Sequence, residues 1–243
     1  MIKNTNIIEI FSSIQGEGPY IGCRQIFLRF AGCNLSCDYC DTPFHAQEFC
    51  NIQKTESSEK LKNPVSVEQL LDVTLKQVQH DNCHGISLTG CEPLLHTDFL
   101  LDFLPDFRKS FPKTKVYLET NGTLFEELEK IIDYIDIISM DLKLKSSTGV
   151  DFPFEKHKKF IEIARNKNVE IFAKAVITNK ISDEEIDELS DFIKIPLILQ
   201  PVSSTNQELL LSARNILEIQ EKFLKKLEDV RVIPQVHKFL DLL

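Results

Sequence analysis

Short apolar runs alternate with longer amphipathic stretches along the 243 residues of the chain. The short runs are rich in Ile, Val, Leu, Phe or Tyr, a composition that is typical of β-strands. Predicted strands cover Ile7–Phe11, Ile26–Phe30, Gly85–Thr89, Lys115–Glu119, Ile135–Met140, Glu170–Ile177, Pro196–Pro201 and Val230–Pro234.

Helix start signals lie between several of these runs. Ser66 with Gln69, and Ser182 with Glu185, each pair a hydroxyl cap with a side chain three residues later, as in a capping box. Apolar residues then recur at helical spacing. The alternation of strands and helices predicts one α/β domain over residues 1–243 with a mostly parallel sheet, whose chemistry lies at the carboxyl ends of the strands. Further helices are predicted over Leu94–Lys109, Pro153–Asn168 and Asn206–Glu228.

The polar segment Gln47–Asn63 breaks this alternation because it has few apolar anchors. We interpret it as a surface excursion that is ordered only if another part of the molecule holds it. Its position beside a cysteine-rich loop also makes it a candidate lid.

Composition narrows the classes of function. The chain has 37 acidic against 28 basic side chains and a formal net charge of −9, which argues against a protein that coats nucleic acid. No apolar run approaches the ~20 residues of a membrane span, and Met1–Asn6 does not begin a signal peptide. Seven cysteines, an odd number, do not suit a closed disulfide framework. We therefore expect a cytoplasmic protein whose cysteines are free, catalytic or metal-bound.

Cys33, Cys37 and Cys40 stand in a C-x3-C-x2-C spacing directly after the predicted strand Ile26–Phe30. Thiolates on one short loop can converge on an iron–sulfur cluster, zinc or Cu(I). With His45 as a fourth ligand the cysteines would form a zinc site in a zinc-stabilised binding protein, although the paired C-x2-C knuckles usual for zinc are absent. A [4Fe–4S] cluster with three cysteine ligands would leave one iron open to a cofactor or substrate.

This cysteine loop resembles that of the radical S-adenosylmethionine (SAM) enzymes. The segment Ser87–Pro93 (SLTGCEP) resembles their GGEP segment, with Cys91 in place of the second glycine. The resemblance implies a modified, incomplete (β/α) TIM-like barrel and a [4Fe–4S] cluster whose open iron binds SAM. It also implies cleavage of SAM to a 5′-deoxyadenosyl radical that takes hydrogen from substrate. A glycyl-radical-enzyme activase is an alternative within the same superfamily.

Other segments narrow the resemblance to the 7-carboxy-7-deazaguanine synthase family. They span essentially the whole chain and read EIFSSIQGEGP, FLRFAGCNL, LETNGT, SMDLK, LQPV and VRVIPQVHK. The implied reaction converts 6-carboxy-5,6,7,8-tetrahydropterin into 7-carboxy-7-deazaguanine with loss of ammonia, by ring contraction on the path to queuosine and other deazapurines. The resemblance further implies Mg²⁺, a homodimer and an external one-electron donor such as a flavodoxin-like protein.

Candidate residues follow from the chemistry of the substrate and from the family. The guanidine-like edge of a pterin needs paired donors and acceptors, and its carboxylate suits the planar fork of Arg29, whose alternative role is a surface ion pair. Thr42 is the Mg²⁺ ligand that the resemblance implies. Whether His237 or the terminal carboxylate lines the pocket stays open. The predicted substrate residues are Ile14, Gln15, Gly16, Glu17, Arg29 and Thr89, and the SAM residues are Tyr39, Asp41, Gly90, Ser139, Asp141, Lys143 and Gln200.

Overall fold

The computed structural model describes residues 3–37, 45–53, 58–149, 154–204 and 208–242. The predictions for Tyr39, Cys40, Asp41 and Thr42 lie outside these ranges. Within them, no helix is long and apolar enough to cross a membrane.

The strands and helices follow the alternation predicted from the sequence. The strands are β1 Asn4–Thr5, β2 Ile7–Ile14, β3 Arg24–Phe30, β4 Phe49–Gln53, β5 Ser58–Lys62, β6 Val65–Ser66, β7 Gly85–Gly90, β8 Lys115–Thr120, β9 Ile137–Leu142, β10 Glu170–Ile177, β11 Leu197–Pro201 and β12 Val230–Val232. The helices are α1 Val67–Asp81, α2 Thr97–Ser110, α3 Phe125–Ile131, α4 Lys145–Thr148, α5 Phe154–Asn166, α6 Asp183–Phe192, α7 Ala213–Leu224 and α8 Val236–Phe239, with 3₁₀ turns at Gly18–Tyr20, Pro93–His96 and Ile132–Tyr134.

The large sheet has ten strands in the spatial order β12-β11-β10-β9-β8-β7-β3-β2-β4-β5. From β3 to β12 every neighbouring pair is parallel. The strand β2 is antiparallel to β3, and the antiparallel hairpin of β4 and β5 extends the sheet beyond β2. Because β5 and β12 do not pair with each other, the barrel is open, and the predicted α/β fold with an incomplete barrel is confirmed.

The two faces of the sheet differ in chemistry. The outer face packs through residues such as Leu88 and Met140 against the helices. The inner face carries a small apolar cluster near the amino ends of the strands, formed by Tyr117, Ile137, Phe172 and Ile198. Above this floor the inner face is polar but still buried, so a polar chamber opens toward the carboxyl ends of the strands. Its buried polar residues include Gln15, Gln25, Ser87, Thr89, Lys174 and Gln200.

The predicted caps are confirmed, one of them in part. Ser66 and Gln69 form a full capping box at the start of α1. The hydroxyl of Ser182 accepts a hydrogen bond from the Glu185 backbone at 3.2 Å, but the Glu185 carboxylate accepts instead from the Ser146 backbone at 3.2 Å. The start of the predicted helix Asn206–Glu228 lies outside the described ranges. From residue 208 onward, Ser212 caps the helix and α7 covers Ala213–Leu224.

The segment Gln47–Asn63, predicted to be ordered only if another part of the molecule holds it, contains the hairpin β4–β5. Its alternating Phe49–Gln53 run buries Cys50 and Ile52 against the core while its other side chains face outward. Pairing with β2 holds it in the sheet. None of its described residues lines the central cavity, so the structure gives no support for a lid there.

Candidate active site

A cavity of about 470 Å³ opens at the carboxyl ends of the parallel strands. It brings together residues from the first third of the chain, the middle strands and the C-terminal segment. Ser139 is buried lower in β9 and does not line the cavity. The predicted residues on its wall are Ile14, Gln15, Gly16, Glu17, Arg29, Cys33, Cys37, Thr89, Gly90, Asp141, Lys143 and Gln200.

The cysteine loop leaves β3 and forms one wall of this cavity. Cys33 and Cys37 both line it, whereas His45, the fourth ligand of the zinc alternative, is exposed and does not. Around the Cys33 sulfur lie the Leu35 amide N–H at 3.4 Å and the Asn34 Oδ1 at 3.9 Å. Burial raises the pKa of the Cys33 thiol. Because Cys33 and Cys37 lie on the same cavity wall, the two cysteines fit ligands of one iron–sulfur cluster.

Gly90 brings the backbone of β7 close to β3 at the cavity wall. Its φ is +103°, and a Cβ there would lie 2.4 Å from the Phe30 carbonyl oxygen, so only glycine fits without a shift. The next residue, Cys91, does not have a positive φ, and its backbone N–H donates to the same carbonyl at 3.1 Å. A cysteine in place of the second glycine therefore costs no left-handed strain.

Glu92 ties this segment to the end of β8. Its buried carboxylate accepts hydrogen bonds from the Leu94 and Asn121 backbones at 3.1 and 2.8 Å, and from the Thr120 hydroxyl at 2.9 Å. Burial raises its pKa to about 7, although these hydrogen bonds and Lys143 act in the opposite direction. The carboxyl thus joins the loops that follow two neighbouring strands.

A buried cation connects two predicted site carboxylates. Lys174, 6 % exposed on β10, contacts the Glu17 carboxylate and lies 3.2 Å from Asp141. Asp141 also pairs with Lys143 at 2.7 Å. Burial alone would raise the pKa of both carboxyls, but Lys174 and, for Asp141, Lys143 outweigh it and hold them below their ordinary values. Both acids are therefore anionic at neutral pH.

Gln15 and Glu119 form a second polar group below the mouth. The Gln15 amide nitrogen donates to Glu119 at 3.0 Å and to Gln25 at 3.2 Å, and its oxygen accepts from the Glu17 backbone at 3.0 Å. Thr89 donates to the other Glu119 oxygen at 2.8 Å. Both hydrogens of the Gln15 amide are thus used within the protein.

Arg29 lines the cavity from β3 beside an apolar stack. Its Nε donates to Glu9 at 2.7 Å, and the guanidinium lies 5.3 Å from the centre of the Phe11 ring, which stacks on Phe27. Its terminal nitrogens donate to no side chain within the described ranges. Arg29 therefore forms an ion pair, which was the alternative to substrate binding, but this pair lies in the cavity wall.

The C-terminal segment closes the cavity over Gly16. The Val236 backbone donates to the Gly16 carbonyl at 2.8 Å, and a Cβ on Gly16 would lie 2.2 Å from the His237 ring. Gln235 donates to Glu17 at 2.7 Å. Of the two candidates that the sequence left open, His237 lines the cavity, and Leu243 lies outside the described ranges.

Sequence reasoning missed Glu92, Glu119, Asn121, Lys174 and Gln235. The signal that could have found Lys174 is a charged side chain at an inward position of the otherwise apolar run EIFAKAVI. Glu119 likewise lies on the inward face of the largely buried strand β8, one residue before its end.

Comparison with known proteins places these features in a family. The Radical SAM superfamily model matches residues 28–193. The chain is 41% identical to a 7-carboxy-7-deazaguanine synthase from Geobacter sulfurreducens, covering 96% of this chain and 95% of that protein. It is 37% identical to one from Archaeoglobus fulgidus, covering 97% of each. The crystal structure of QueE from Escherichia coli has the same fold, with a TM-score of 0.62 at 20% identity over 96% of this chain and 95% of that one.

Proposed function

The chain belongs to the 7-carboxy-7-deazaguanine synthases of the radical SAM superfamily, and from this we propose that it converts 6-carboxy-5,6,7,8-tetrahydropterin into 7-carboxy-7-deazaguanine with loss of ammonia. The reaction serves queuosine and deazapurine biosynthesis. One observation carries the proposal. A single cavity has Cys33 and Cys37 on one wall, and carboxylates held by Lys174 and Gln235 on another. The one large sheet contains all but two of the strands in the described ranges, which supports a single domain over residues 1–243.

The residues fit the cofactors of the family. Cys33, Cys37 and Cys40 would hold the [4Fe–4S] cluster, and Thr42 would supply an oxygen to Mg²⁺. When bound, the cluster supplies the electron that cleaves SAM and so starts hydrogen abstraction from substrate. Gly90 lets the cofactor approach the backbone of β7, because no side chain stands there. The remaining SAM residues are Tyr39, Asp41, Ser139, Asp141, Lys143 and Gln200, of which Ser139 lies lower in β9, below the residues that line the cavity.

The acceptor for the N–H groups of the pterin edge is Glu17. Glu17 is anionic because Lys174 outweighs the cost of burial. Gln235 holds its side chain, and Gln15, which is itself bound to Glu119, holds its backbone N–H. Since both amide hydrogens of Gln15 are used, Gln15 orients Glu17 and leaves the backbone at Ile14 and Gly16 to complete the edge. A carboxylate acceptor with fixed orientation discriminates against analogues that lack the matching donors.

The substrate carboxylate binds Arg29. Glu9 holds the Nε side of the guanidinium at 2.7 Å, and the Phe11 ring supports its face. This leaves the two terminal nitrogens to make a bidentate pair with a carboxylate. Thr89, one residue before Gly90, contributes a hydroxyl whose position Glu119 sets.

The test is anaerobic incubation of the reconstituted protein with the carboxy-tetrahydropterin, SAM and a reductant. We expect a brown protein with about four irons, and mass spectrometry should detect 7-carboxy-7-deazaguanine. Arg29→Ala should raise the KM for the pterin while iron content and SAM binding stay unchanged. If the protein contains the cluster and forms 5′-deoxyadenosine but no deazaguanine, the proposed substrate is wrong. A colourless protein with one zinc would refute the proposed radical SAM activity.

We also propose that the protein works as a homodimer with an external one-electron donor of the flavodoxin type, as the family resemblance implies. Sedimentation at micromolar concentration tests the dimer, and replacement of the chemical reductant by reduced flavodoxin tests the donor. A monomer, or no turnover with reduced flavodoxin, would refute the corresponding proposal.

A further inference from the structure

The side chain of Asn121, in the turn after β8, has a fixed orientation. Its Oδ1 accepts from the Thr123 backbone N–H at 3.0 Å and from the Thr123 hydroxyl at 2.6 Å. Its backbone N–H donates to Glu92, and its carbonyl lies 2.8 Å from the His157 Nε2. All four residues are buried. Because a backbone N–H needs an acceptor, the bond from Thr123 fixes which end of the amide is oxygen.

The amide nitrogen of Asn121 then points at the cysteine loop. It lies 2.8 Å from the Asn34 Oδ1 and 3.8 Å from the Cys33 Sγ. The NH₂ group has two hydrogens, so it can serve the Asn34 oxygen and the Cys33 sulfur together. Asn34 is held in turn by its own donation to the Thr123 hydroxyl at 2.8 Å.

Two N–H groups of different origin therefore reach one sulfur. The Leu35 N–H belongs to the cysteine loop itself, whereas Asn121 comes from a different strand end, 88 residues away. Hydrogen bonds to the sulfurs of an iron–sulfur cluster help set its reduction potential. They strengthen as negative charge increases on the acceptor, so they favour the reduced state.

We propose that Asn121 is a positioning residue that donates a hydrogen bond to the Cys33 thiolate and thereby raises the reduction potential of the cluster. It also fixes the cysteine loop relative to the end of β8. This inference rests on the proposed ligation of the cluster by Cys33, and it does not depend on the identity of the substrate.

The first test is an anaerobic redox titration of the reconstituted full-length protein, followed by electron paramagnetic resonance without substrate. In Asn121→Asp the donor becomes an acceptor of nearly the same shape. At a fixed applied potential we expect the ratio of reduced to oxidised cluster to fall about tenfold, equivalent to a midpoint lower by ~59 mV for one electron. Asn121→Ala, which adds no charge, should shift the ratio in the same direction by less.

The matched control is Asn166→Asp, which adds the same charge at an exposed position at the end of α5. Its midpoint should equal that of the wild type. If Asn121→Asp and Asn121→Ala hold about four irons and keep the wild-type midpoint, the inference is wrong. A wild type without the cluster would instead refute the proposed ligation, so the two failures are distinguishable.

A second measurement has a negative outcome that the wild type alone can give. In wild-type protein labelled with ¹⁵N at asparagine side chains, pulsed electron paramagnetic resonance of the reduced cluster should show a ¹⁵N coupling, and Asn121→Asp should lack it. If the variants assemble no cluster, absence of this coupling in the wild type overturns the inference by itself.

Discussion

Replacement of Lys174 by methionine is the sharpest test of how the cavity is built. Methionine has a side chain of similar length, so the change removes the charge and little of the volume. The ammonium contacts Glu17 and lies 3.2 Å from Asp141, and the side chain is 7% exposed. Without it, the donors that remain near the two buried carboxylates, among the described residues, are Gln235, Gln200 and Lys143.

The expected cost is large because one partner of a buried ion pair is lost. Breaking such a pair typically costs about 3–5 kcal/mol, since an uncompensated buried charge remains. Glu17 relieves part of this cost by protonation, because burial, which raises its pKa, is no longer outweighed by Lys174. We therefore expect a lower free energy of unfolding at pH 7, with a loss of at least ~2 kcal/mol by urea denaturation.

The pH dependence gives the sign of the effect. In the wild type the pKa of Glu17 is below its ordinary value of 4.5, so its contribution to stability is present above that pH and is lost as the pH falls through the lowered value. In Lys174→Met we expect the pKa of Glu17 to lie above its wild-type value, because Lys174 no longer outweighs burial. The low-pH fall in kcat/KM for the pterin should therefore lie at higher pH than in the wild type.

The control is Lys180→Met, which removes the same charge from an exposed position. It should leave the free energy of unfolding within ~0.5 kcal/mol of the wild type. The double variant Lys174→Met/Asp141→Asn should regain part of the lost stability, because one uncompensated carboxylate is removed. A Lys174→Met protein with wild-type stability and an unchanged pH profile would refute the argument.

Three further predictions concern the glycines and Glu92. Gly90→Ala forces a Cβ to within 2.4 Å of the Phe30 carbonyl at a φ of +103°, so it should destabilise the fold by about 1–3 kcal/mol. Calorimetry should also show weaker SAM binding, and a wild-type affinity would contradict the close approach. Gly16→Ala places a Cβ 2.2 Å from the His237 ring, so the C-terminal segment should move. The KM for the pterin should then rise while the affinity for SAM stays unchanged, and an unaltered KM would show that this contact does not shape the site. Because the pKa of Glu92 is raised to about 7, the cluster-free protein should lose stability as the pH rises from about 5 to 8. Glu92→Gln should flatten that dependence, and an equally steep slope in the variant would contradict the raised pKa of Glu92.

The sequence by itself determined the type of fold and the cofactor chemistry. The alternation of short apolar runs with amphipathic stretches predicted the parallel strands, and hydroxyl caps predicted helix starts at Ser66 and Ser182. Both signals depend on neighbouring residues alone. The cysteine spacing left an iron–sulfur cluster, zinc and Cu(I) open, and the resemblance of the cysteine loop and the SLTGCEP segment to the radical SAM enzymes then implied the cluster and SAM. The predicted residues in the described ranges, except Ser139, lie on the wall of one cavity.

Tertiary structure alone decided how the charges are balanced. Lys174 and Glu17 are 157 residues apart in the chain, and only the closing curvature of the sheet brings them together. In sequence a lysine in a strand is typical of an exposed edge, whereas here it is buried between carboxylates from two other elements. The hairpin β4–β5 is a strand pair because β2 offers an edge to pair with, a partner that no local pattern contains. Local periodicity sets which residues share a face of a strand, but pairing and barrel curvature decide which charges share a cavity.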